Sequence, residues 1–291
     1  MDTSLSVLQN AKNTDVCLRP FPHIVIKNAL PESLCDELIR SYPSLETLEI
    51  EKNQNNVRWS YPAVKTIDNN SIADVWRKFV SYHTSSAFFN EIIELFYKGI
   101  IELYASQFPD YEKIKSLRPG IRYLDNFMKD DILLDAQISG NTPVVDASSV
   151  RTTHVDENDK LFSGLYYLRP DNDDSEGGDL TINQLRWHYF GNRKWRCYDG
   201  VYVKDKYTKV VKTIKYEKNV LVLFLNSLES LHGVTTRQPT SHSRIFLNLV
   251  GVVGSPLFNV PLRKKPLTKK MKTKIFKHYR KWVSSQDASV D

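Results

Sequence analysis

The pattern that most constrains this chain is a His-x-Asp pair, His154 and Asp156, followed 76 positions after the Asp by His232. Residues two apart on a strand project to the same side, so both side chains of the pair can enter one cavity. His232 follows the apolar run 220–225, which predicts a buried strand able to bring it beside the pair. Two imidazoles and one carboxylate are the donor set of non-haem Fe(II) sites with open positions. The sequence therefore predicts an open iron site.

The segments around these residues carry more specificity than the pair alone. With seven histidines in a chain of this length, the expected number of His-x-Asp matches that arise by chance is about one half. The motifs follow in a set order. They are Leu165-Tyr-Tyr-Leu168, Gly177-Gly-Asp-Leu180, Leu231-His-Gly-Val234 and Arg244-Ile-Phe-Leu-Asn-Leu249. In this order, residues 118–254 resemble the prolyl-4-hydroxylase-like branch of the 2-oxoglutarate/Fe(II) dioxygenases, with a weaker echo at residues 21–26.

The resemblance implies an activity and its reactants. Fe(II) would be the metal, 2-oxoglutarate and O₂ the co-substrates, and ascorbate an accessory reductant. The expected reaction hydroxylates an unactivated carbon of a small molecule or of a peptidyl, prolyl-type substrate and releases succinate and CO₂.

The resemblance also implies a basic anchor for the far carboxylate of 2-oxoglutarate. Arg244 lies twelve positions beyond His232 and begins a predicted strand, so it is the preferred anchor. Arg237, five beyond His232, is the competitor, and it could instead be a solvated loop residue or reach toward the substrate. A tyrosine on an early barrel strand binds the same carboxylate in relatives, which makes Tyr123 and Tyr166 candidates.

Three further polar residues lie next to the predicted metal site in the sequence. Gln137 and Asn141 flank a predicted strand end, and Arg151 precedes His154 by three positions. We expect these three residues, together with Arg237, to be candidates for substrate binding.

Hydrophobic periodicity predicts a mainly β fold with flanking helices. Apolar residues recur at helical spacing over about 72–108, with a break near Ser85, which predicts a helical buttress. Eight or nine short strand-like segments then follow over about 118–254, whereas 46–70 is predicted to be a polar loop. This pattern predicts a double-stranded β-helix, the cupin-like jelly roll. The expected organisation is a loosely held arm at 1–19, one oxygenase domain at 20–260 and a basic tail at 261–291.

The net charge of +6 is concentrated in that tail, where ten Lys and Arg face two Asp. A solvated helix packed on the body is the favoured interpretation of the tail, and a contact with nucleic acid is the alternative. The second interpretation would suit an oxidative nucleic-acid demethylase. A third hypothesis, from another class, is a non-catalytic jelly roll that binds a sugar or an acidic partner.

The remaining composition predicts a cytoplasmic location without a membrane span. The three cysteines are odd in number and scattered, which fits a reducing compartment. No run of eighteen apolar residues is present, and the amino end lacks the pattern of a secretory signal.

Overall fold

A computed structural model describes residues 2–51, 55–186 and 197–260. The predicted basic tail and the residues 187–196 lie outside the described residues. The helices are α1 (Glu32–Arg40), α2 (Ala63–Asp68), α3 (Asp74–His83), α4 (Ser86–Tyr104) and α5 (Tyr111–Lys115). The strands are β1 (His23–Lys27), β2 (Arg58–Tyr61), β3 (Pro119–Ile121), β4 (Ile132–Asn141), β5 (Lys160–Tyr167), β6 (Leu180–Leu185), β7 (Tyr198–Asp199), β8 (Tyr202–Val203), β9 (Thr208–Ile214), β10 (Val220–Leu225), β11 (His232–Val234) and β12 (Arg244–Val253).

Two antiparallel sheets face each other across the barrel. The larger sheet has the order β1-β10-β5-β12-β4-β2, and β3 pairs in parallel with β4. The smaller sheet has the order β11-β6-β9, and a bridge between His154 and His232 extends it by one more segment. From β4 onward the chain passes back and forth between the sheets: β4, β5, β10 and β12 belong to the larger sheet, and the His154 segment, the β6–β9 pair and β11 lie between them in the smaller one. This is the connectivity of a double-stranded β-helix. The predicted jelly-roll class is confirmed.

The strands of the larger sheet are apolar because both of their faces are covered. All six residues of β10 and all ten residues of β12 are buried. One face packs against the helices α3 and α4, and the other face encloses the barrel interior with Phe224, Phe246 and Leu180. A run such as Val-Leu-Val-Leu-Phe-Leu has no polar alternation for this reason.

The helical buttress lies where the periodicity predicted it. The break between α3 and α4 falls at Ser85, whose side chain accepts a hydrogen bond from the backbone N–H of Phe88 and caps α4. Buried residues of α4 recur at three- and four-residue spacing, among them Phe89, Ile93 and Phe96. This face of α4 covers the outside of the larger sheet.

Three expectations about local structure were wrong. The segment 46–70, predicted as polar loop, contains β2 and α2, because β2 gains its hydrogen bonds from the distant strand β4. Residues 150–153 are one of the strand-like segments predicted within 118–254, but they form no strand, and pairing in this region begins at the isolated bridge of His154. The amino-terminal arm is not loosely held, since Val7 and Leu8 are buried in the main core.

No helix within 2–51, 55–186 and 197–260 is both long enough and apolar enough to cross a membrane.

Candidate metal centre

The two histidines of the predicted triad are direct partners across neighbouring strand segments. The backbone N–H of His154 donates to the carbonyl of His232 at 2.8 Å, and the N–H of His232 donates back to the carbonyl of His154 at 2.9 Å. Residues paired in this way hold their side chains on the same face. Their ring centroids are therefore only 4.3 Å apart.

Backbone carbonyls fix the tautomer of both imidazoles. Nδ1 of His154 lies 2.7 Å from the carbonyl of Thr152, and Nδ1 of His232 lies 2.9 Å from the carbonyl of Ser230. A carbonyl oxygen only accepts, so each Nδ1 carries the proton and each Nε2 presents a lone pair. Nε2 of His154 is buried and has no hydrogen-bond partner. An orphaned lone pair of this kind fits a metal ligand.

Asp156 completes the triad with one oxygen and is held by the other. Its Oδ1 lies 3.7 Å from Nε2 of His154 and 3.9 Å from Nε2 of His232. Its Oδ2 accepts a hydrogen bond from the hydroxyl of Ser163 at 2.7 Å. One ligand atom from each of the three residues lies within 4.8 Å of the others. This spacing suits a single cation bound on one face.

The protonation states of the site also suit a metal. Burial and the neighbouring His154 lower the pKa of His232 to about 3, so its imidazole is neutral. Burial acts to raise the pKa of Asp156, but Lys160 and the two histidines hold that pKa well below its ordinary value. Arg151 adds an ion pair to Oδ1 of Asp156 at 3.2 Å. His232 and Asp156 thus have the neutral and the ionised form, respectively, that bind a divalent cation.

Arg244 lies in the same cavity, at the first position of β12. Its side chain is buried, with 2% of its surface exposed. It donates to the hydroxyl of Tyr167 at 3.0 Å and to Oδ1 of Asn141 at 3.4 Å. Its Nε and Nδ2 of Asn141 are buried without hydrogen-bond partners. Among the described residues no carboxylate pairs with this guanidinium, so the arrangement fits an acidic ligand.

The metal triad and Arg244 share a cavity of about 460 Å³. Gln137, Asn141 and Arg151, candidates for substrate binding, also line it. The amide of Asn248 donates to Oε1 of Gln137 at 2.7 Å, which fixes the orientation of Gln137. The remaining wall includes apolar side chains, namely Val150, Leu165, Leu180, Phe224, Val234, Phe246 and Val250.

The two tyrosines predicted to bind 2-oxoglutarate do not line this cavity, and both placements are corrected. Tyr123 lies in the turn after β3 and is 64% exposed. Tyr166 lies on β5 but points to the helical side, where its hydroxyl donates to Asn219 at 2.9 Å. The next residue, Tyr167, points inward and contacts Arg244. Alternation along β5 places the cavity on the side of Tyr167.

Arg237 is neither a solvated loop residue nor part of the cavity wall. It is fully buried, and its guanidinium donates to Oδ1 of Asn56, to the carbonyl of Thr142 and to the carbonyl of His242, at 2.8–2.9 Å. These bonds join three distant segments of the chain. Arg237 therefore has a structural position beside the site.

Sequence reasoning assigned no role to several residues that the structure places at the site. Ser163 holds the triad carboxylate. Arg58 lines the cavity from β2, and Tyr202 lies at its edge with its ring 5.9 Å from that of His154. The alternation of side chains along β5 could have indicated that Ser163 and Tyr167 face the cavity, because residues 163, 165 and 167 share one face of the strand. No local signal indicated Arg58.

No protein-family model matches the sequence, and no curated protein matches it. A prolyl-4-hydroxylase from Pseudomonas putida is a similar solved structure, with 13% identity, 80% of this chain and 93% of that chain covered, and a TM-score of 0.41. A prolyl hydroxylase from Trichoplax adhaerens, in complex with a peptide fragment of hypoxia inducible factor, has 15% identity, coverages of 86% and 89%, and a TM-score of 0.40. HygX from Streptomyces hygroscopicus, with nickel and 2-oxoglutarate bound, has 11% identity, coverages of 86% and 89%, and a TM-score of 0.39. All three solved structures are similar to this chain at low identity.

Proposed function

We propose that this chain is a 2-oxoglutarate- and Fe(II)-dependent oxygenase. It hydroxylates an unactivated carbon of a small molecule or a peptide and releases succinate and CO₂. The observation that carries the proposal is that one cavity contains both the metal-binding donors and a buried cation. The donors are His154, Asp156 and His232. The cation is the guanidinium of Arg244, and no carboxylate among the described residues pairs with it.

The three triad residues would hold Fe(II), and Arg244 would bind the far carboxylate of 2-oxoglutarate. When bound together, Fe(II) and 2-oxoglutarate supply oxidative decarboxylation of the keto acid coupled to oxidation of a substrate C–H bond by O₂. The protein itself orients the metal ligands and keeps water out of the cavity. Backbone carbonyls hold both imidazoles, and Ser163 holds the carboxylate with Oδ1 on the side of the two imidazole Nε2 atoms, where these three atoms would hold the metal.

The surroundings of Arg244 suit the binding of a carboxylate away from water. Asn141 and Tyr167 bind the guanidinium of Arg244 from two directions, and three aromatic rings lie 4.8–5.2 Å from its central carbon. A planar fork fixed in this way meets a carboxylate through two parallel hydrogen bonds. The apolar wall excludes water, which strengthens the ion pair.

The alternative as a nucleic-acid demethylase depends on Arg237 acting beside Arg244 and on the basic tail. All the hydrogen bonds described for Arg237 go to protein groups outside the cavity, which disfavours a role in ligand binding. The non-catalytic alternative gives no reason for an orphaned Nε2 on His154 beside a buried carboxylate. Neither alternative accounts for the site as well as the oxygenase does.

The test is succinate release by the purified chain with Fe(II), 2-oxoglutarate and O₂, first alone and then with a library of metabolites, proline peptides and oligonucleotides. We expect slow release without substrate and stimulation by particular small molecules or peptides. His154→Ala, Asp156→Ala and His232→Ala should each abolish turnover in a folded protein. Full activity in any of these three variants would contradict the metal assignment.

A further inference from the structure

We propose that the substrate of this oxygenase is a small acid whose carboxylate or phosphate group binds Arg58. The proposal deepens the proposed function and rests on it. Its basis is a second cationic position in the cavity, separate from Arg244, that no carboxylate among the described residues pairs with at salt-bridge distance.

Sheet register places the two arginines in one row. Arg58 on β2 is paired with Asn141 on β4, and Asn141 is paired with Arg244 on β12. Directly paired residues project to the same face, so both guanidiniums enter the same cavity. Neighbouring strands are separated by about 4.8 Å, which puts the two backbones about 10 Å apart. The central carbons of Arg58 and Arg244 lie 5.5 Å and 4.8 Å from the ring centroid of Phe246.

The charges that line the cavity do not balance. It contains five basic side chains and two acidic ones, an excess of three positive charges. Fe(II) and the 2-oxoglutarate dianion carry opposite charges of equal size, so the excess persists when both are bound. The basic side chains are Arg58, Arg122, Arg151, Lys160 and Arg244, and the acidic ones are Asp156 and Glu157.

Pairing within the cavity separates the occupied cations from the free ones. Arg151 pairs with Asp156, and Lys160 pairs with Glu157. Among the described residues no carboxylate lies at salt-bridge distance from Arg58 or Arg122. The undescribed residues contain only two acidic side chains, both within five positions of the carboxyl terminus. Arg122 acts electrostatically on the buried carboxyl of Asp135. With Arg244 assigned to 2-oxoglutarate, Arg58 is therefore left for another anion.

Arg58 is placed where an anionic substrate would lie close to the metal. Burial lowers the pKa of Arg58, and the carboxylate of Asp156 acts in the opposite direction, so the guanidinium senses the triad electrostatically. Keeping a cation partly buried without a counter-ion is costly, and a bound anion would offset that cost. Truncating one partner of such a pair then weakens binding strongly.

The size of the cavity favours a small acid. Ligand sites range over roughly 300–1,000 Å³, and this cavity of about 460 Å³ must also hold 2-oxoglutarate. The remaining space suits a compact molecule with an anionic group at one end and the reacting carbon at the other. An acidic side chain on a peptide is the alternative that the experiment must distinguish.

The first experiment measures anion binding to the full chain loaded with Mn(II) and saturated with 2-oxoglutarate. The probes are inorganic phosphate, followed by ³¹P relaxation, and trifluoroacetate, followed by ¹⁹F relaxation, since paramagnetic Mn(II) speeds the relaxation of nuclei near it. We expect saturable enhancement, weakened at least about tenfold in Arg58→Gln and partly retained in Arg58→Lys. Arg40→Gln, an exposed position on α1, is the matched control and should bind both anions like the wild type.

The two probes identify the anionic group, because tighter phosphate binding indicates a phosphate-bearing substrate and tighter trifluoroacetate binding a carboxylic acid. Equal anion affinity in wild type and Arg58→Gln, or no saturable binding to the wild type, would overturn the proposal. So would a loss of 2-oxoglutarate affinity in Arg58→Gln as large as that in an Arg244 variant, since Arg58 would then serve the co-substrate. If the wild type fails to bind Mn(II) or 2-oxoglutarate at the outset, the proposed function itself is wrong.

The second experiment compares matched acids and amides as stimulators of succinate release by the wild type. Free acids should stimulate, and their uncharged amides should not. Stimulation by an amide equal to that by its acid would contradict the proposal. Stimulation only by acidic residues within peptides would keep the charge requirement and overturn the small-molecule assignment.

Discussion

Replacing Arg244 by methionine should remove the proposed anchor for 2-oxoglutarate while keeping most of the side-chain volume. The guanidinium is 2% exposed and is surrounded by aromatic rings, so its ion pair with a carboxylate would be poorly screened. Truncating one partner of a buried, hydrogen-bonded charge pair costs about 2–5 kcal/mol. This corresponds to a dissociation constant for 2-oxoglutarate raised roughly 30-fold to a few thousand-fold. Affinity for the metal should change little, because Arg244 makes none of the contacts described for the triad.

Arg237→Met is the matched control, since it removes a second buried arginine from the same region. It should leave 2-oxoglutarate affinity within a few-fold of the wild type. It should instead lower the free energy of unfolding by about 2–4 kcal/mol, because two buried acceptors and one partly buried acceptor lose their donor. Calorimetric titration of the Mn(II)-loaded proteins gives the dissociation constants, and urea unfolding gives the stabilities. A large loss of 2-oxoglutarate affinity in Arg237→Met but not in Arg244→Met would refute the anchor assignment.

Three further predictions concern the support of the site, the helical buttress and the tail. Ser163→Ala should weaken metal binding about 10- to 100-fold, because Asp156 loses the hydroxyl that orients it; Mn(II) titration followed by electron paramagnetic resonance measures this, and unchanged affinity would contradict it. Burial lowers the pKa of His83 to about 4 from an ordinary value of 6.5, and its Nε2 accepts from the backbone N–H of Val7. The neutral His83 imidazole therefore contributes fully to the free energy of unfolding above pH 6.5, and this contribution is lost as the pH falls toward 4, by about 3 kcal/mol in total. Urea unfolding at several pH values should show this loss in the wild type and a smaller one in His83→Gln. An equal dependence of the unfolding free energy on pH in both proteins would count against it. Truncation after residue 262 should keep 2-oxoglutarate turnover, while salt-sensitive oligonucleotide binding lost with the tail, together with activity on that oligonucleotide, would favour the demethylase.

The close approach of His154, Asp156 and His232 could be predicted from the sequence because its geometry is mostly local. The His-x-Asp spacing places both side chains on one side of an extended segment, whatever the rest of the fold does. His232 needed one further inference, that the apolar run before it is a buried strand, and β10 is that strand. The structure then adds the direct pairing of His154 with His232, which no local pattern contains.

The tyrosine predictions failed because a single sequence does not show which face of a strand points into the cavity. Tyr166 and Tyr167 are adjacent and chemically equal, and a shift of one residue exchanges the cavity side for the helical side. Both neighbours are buried here, so hydrophobicity does not distinguish them. Tyr123 was assigned to a strand, but its positive φ of 69° belongs to a turn.

The roles of Arg58 and Arg237 were out of reach for a different physical reason. Arg58 lies in a four-residue strand whose hydrogen bonds come from β4, about 80 positions away in the sequence, and the polar residues before it predicted a loop. The partners of Arg237 lie in three separate segments. Contacts between segments that are distant in the sequence determine where both side chains lie. Local sequence propensities do not indicate such contacts.

The central claim is that His154, Asp156, His232 and Arg244 together support oxidative decarboxylation of 2-oxoglutarate. The most direct measurement loads the protein with Fe(II) and 2-oxoglutarate without oxygen, admits O₂ and quantifies succinate and CO₂ after a single exposure. The wild type should convert 2-oxoglutarate to equal amounts of succinate and CO₂, and the Asp156→Ala protein, checked for folding, should not. Conversion at the same rate in Asp156→Ala, or no conversion in a wild type that binds both Fe(II) and 2-oxoglutarate, would contradict the account.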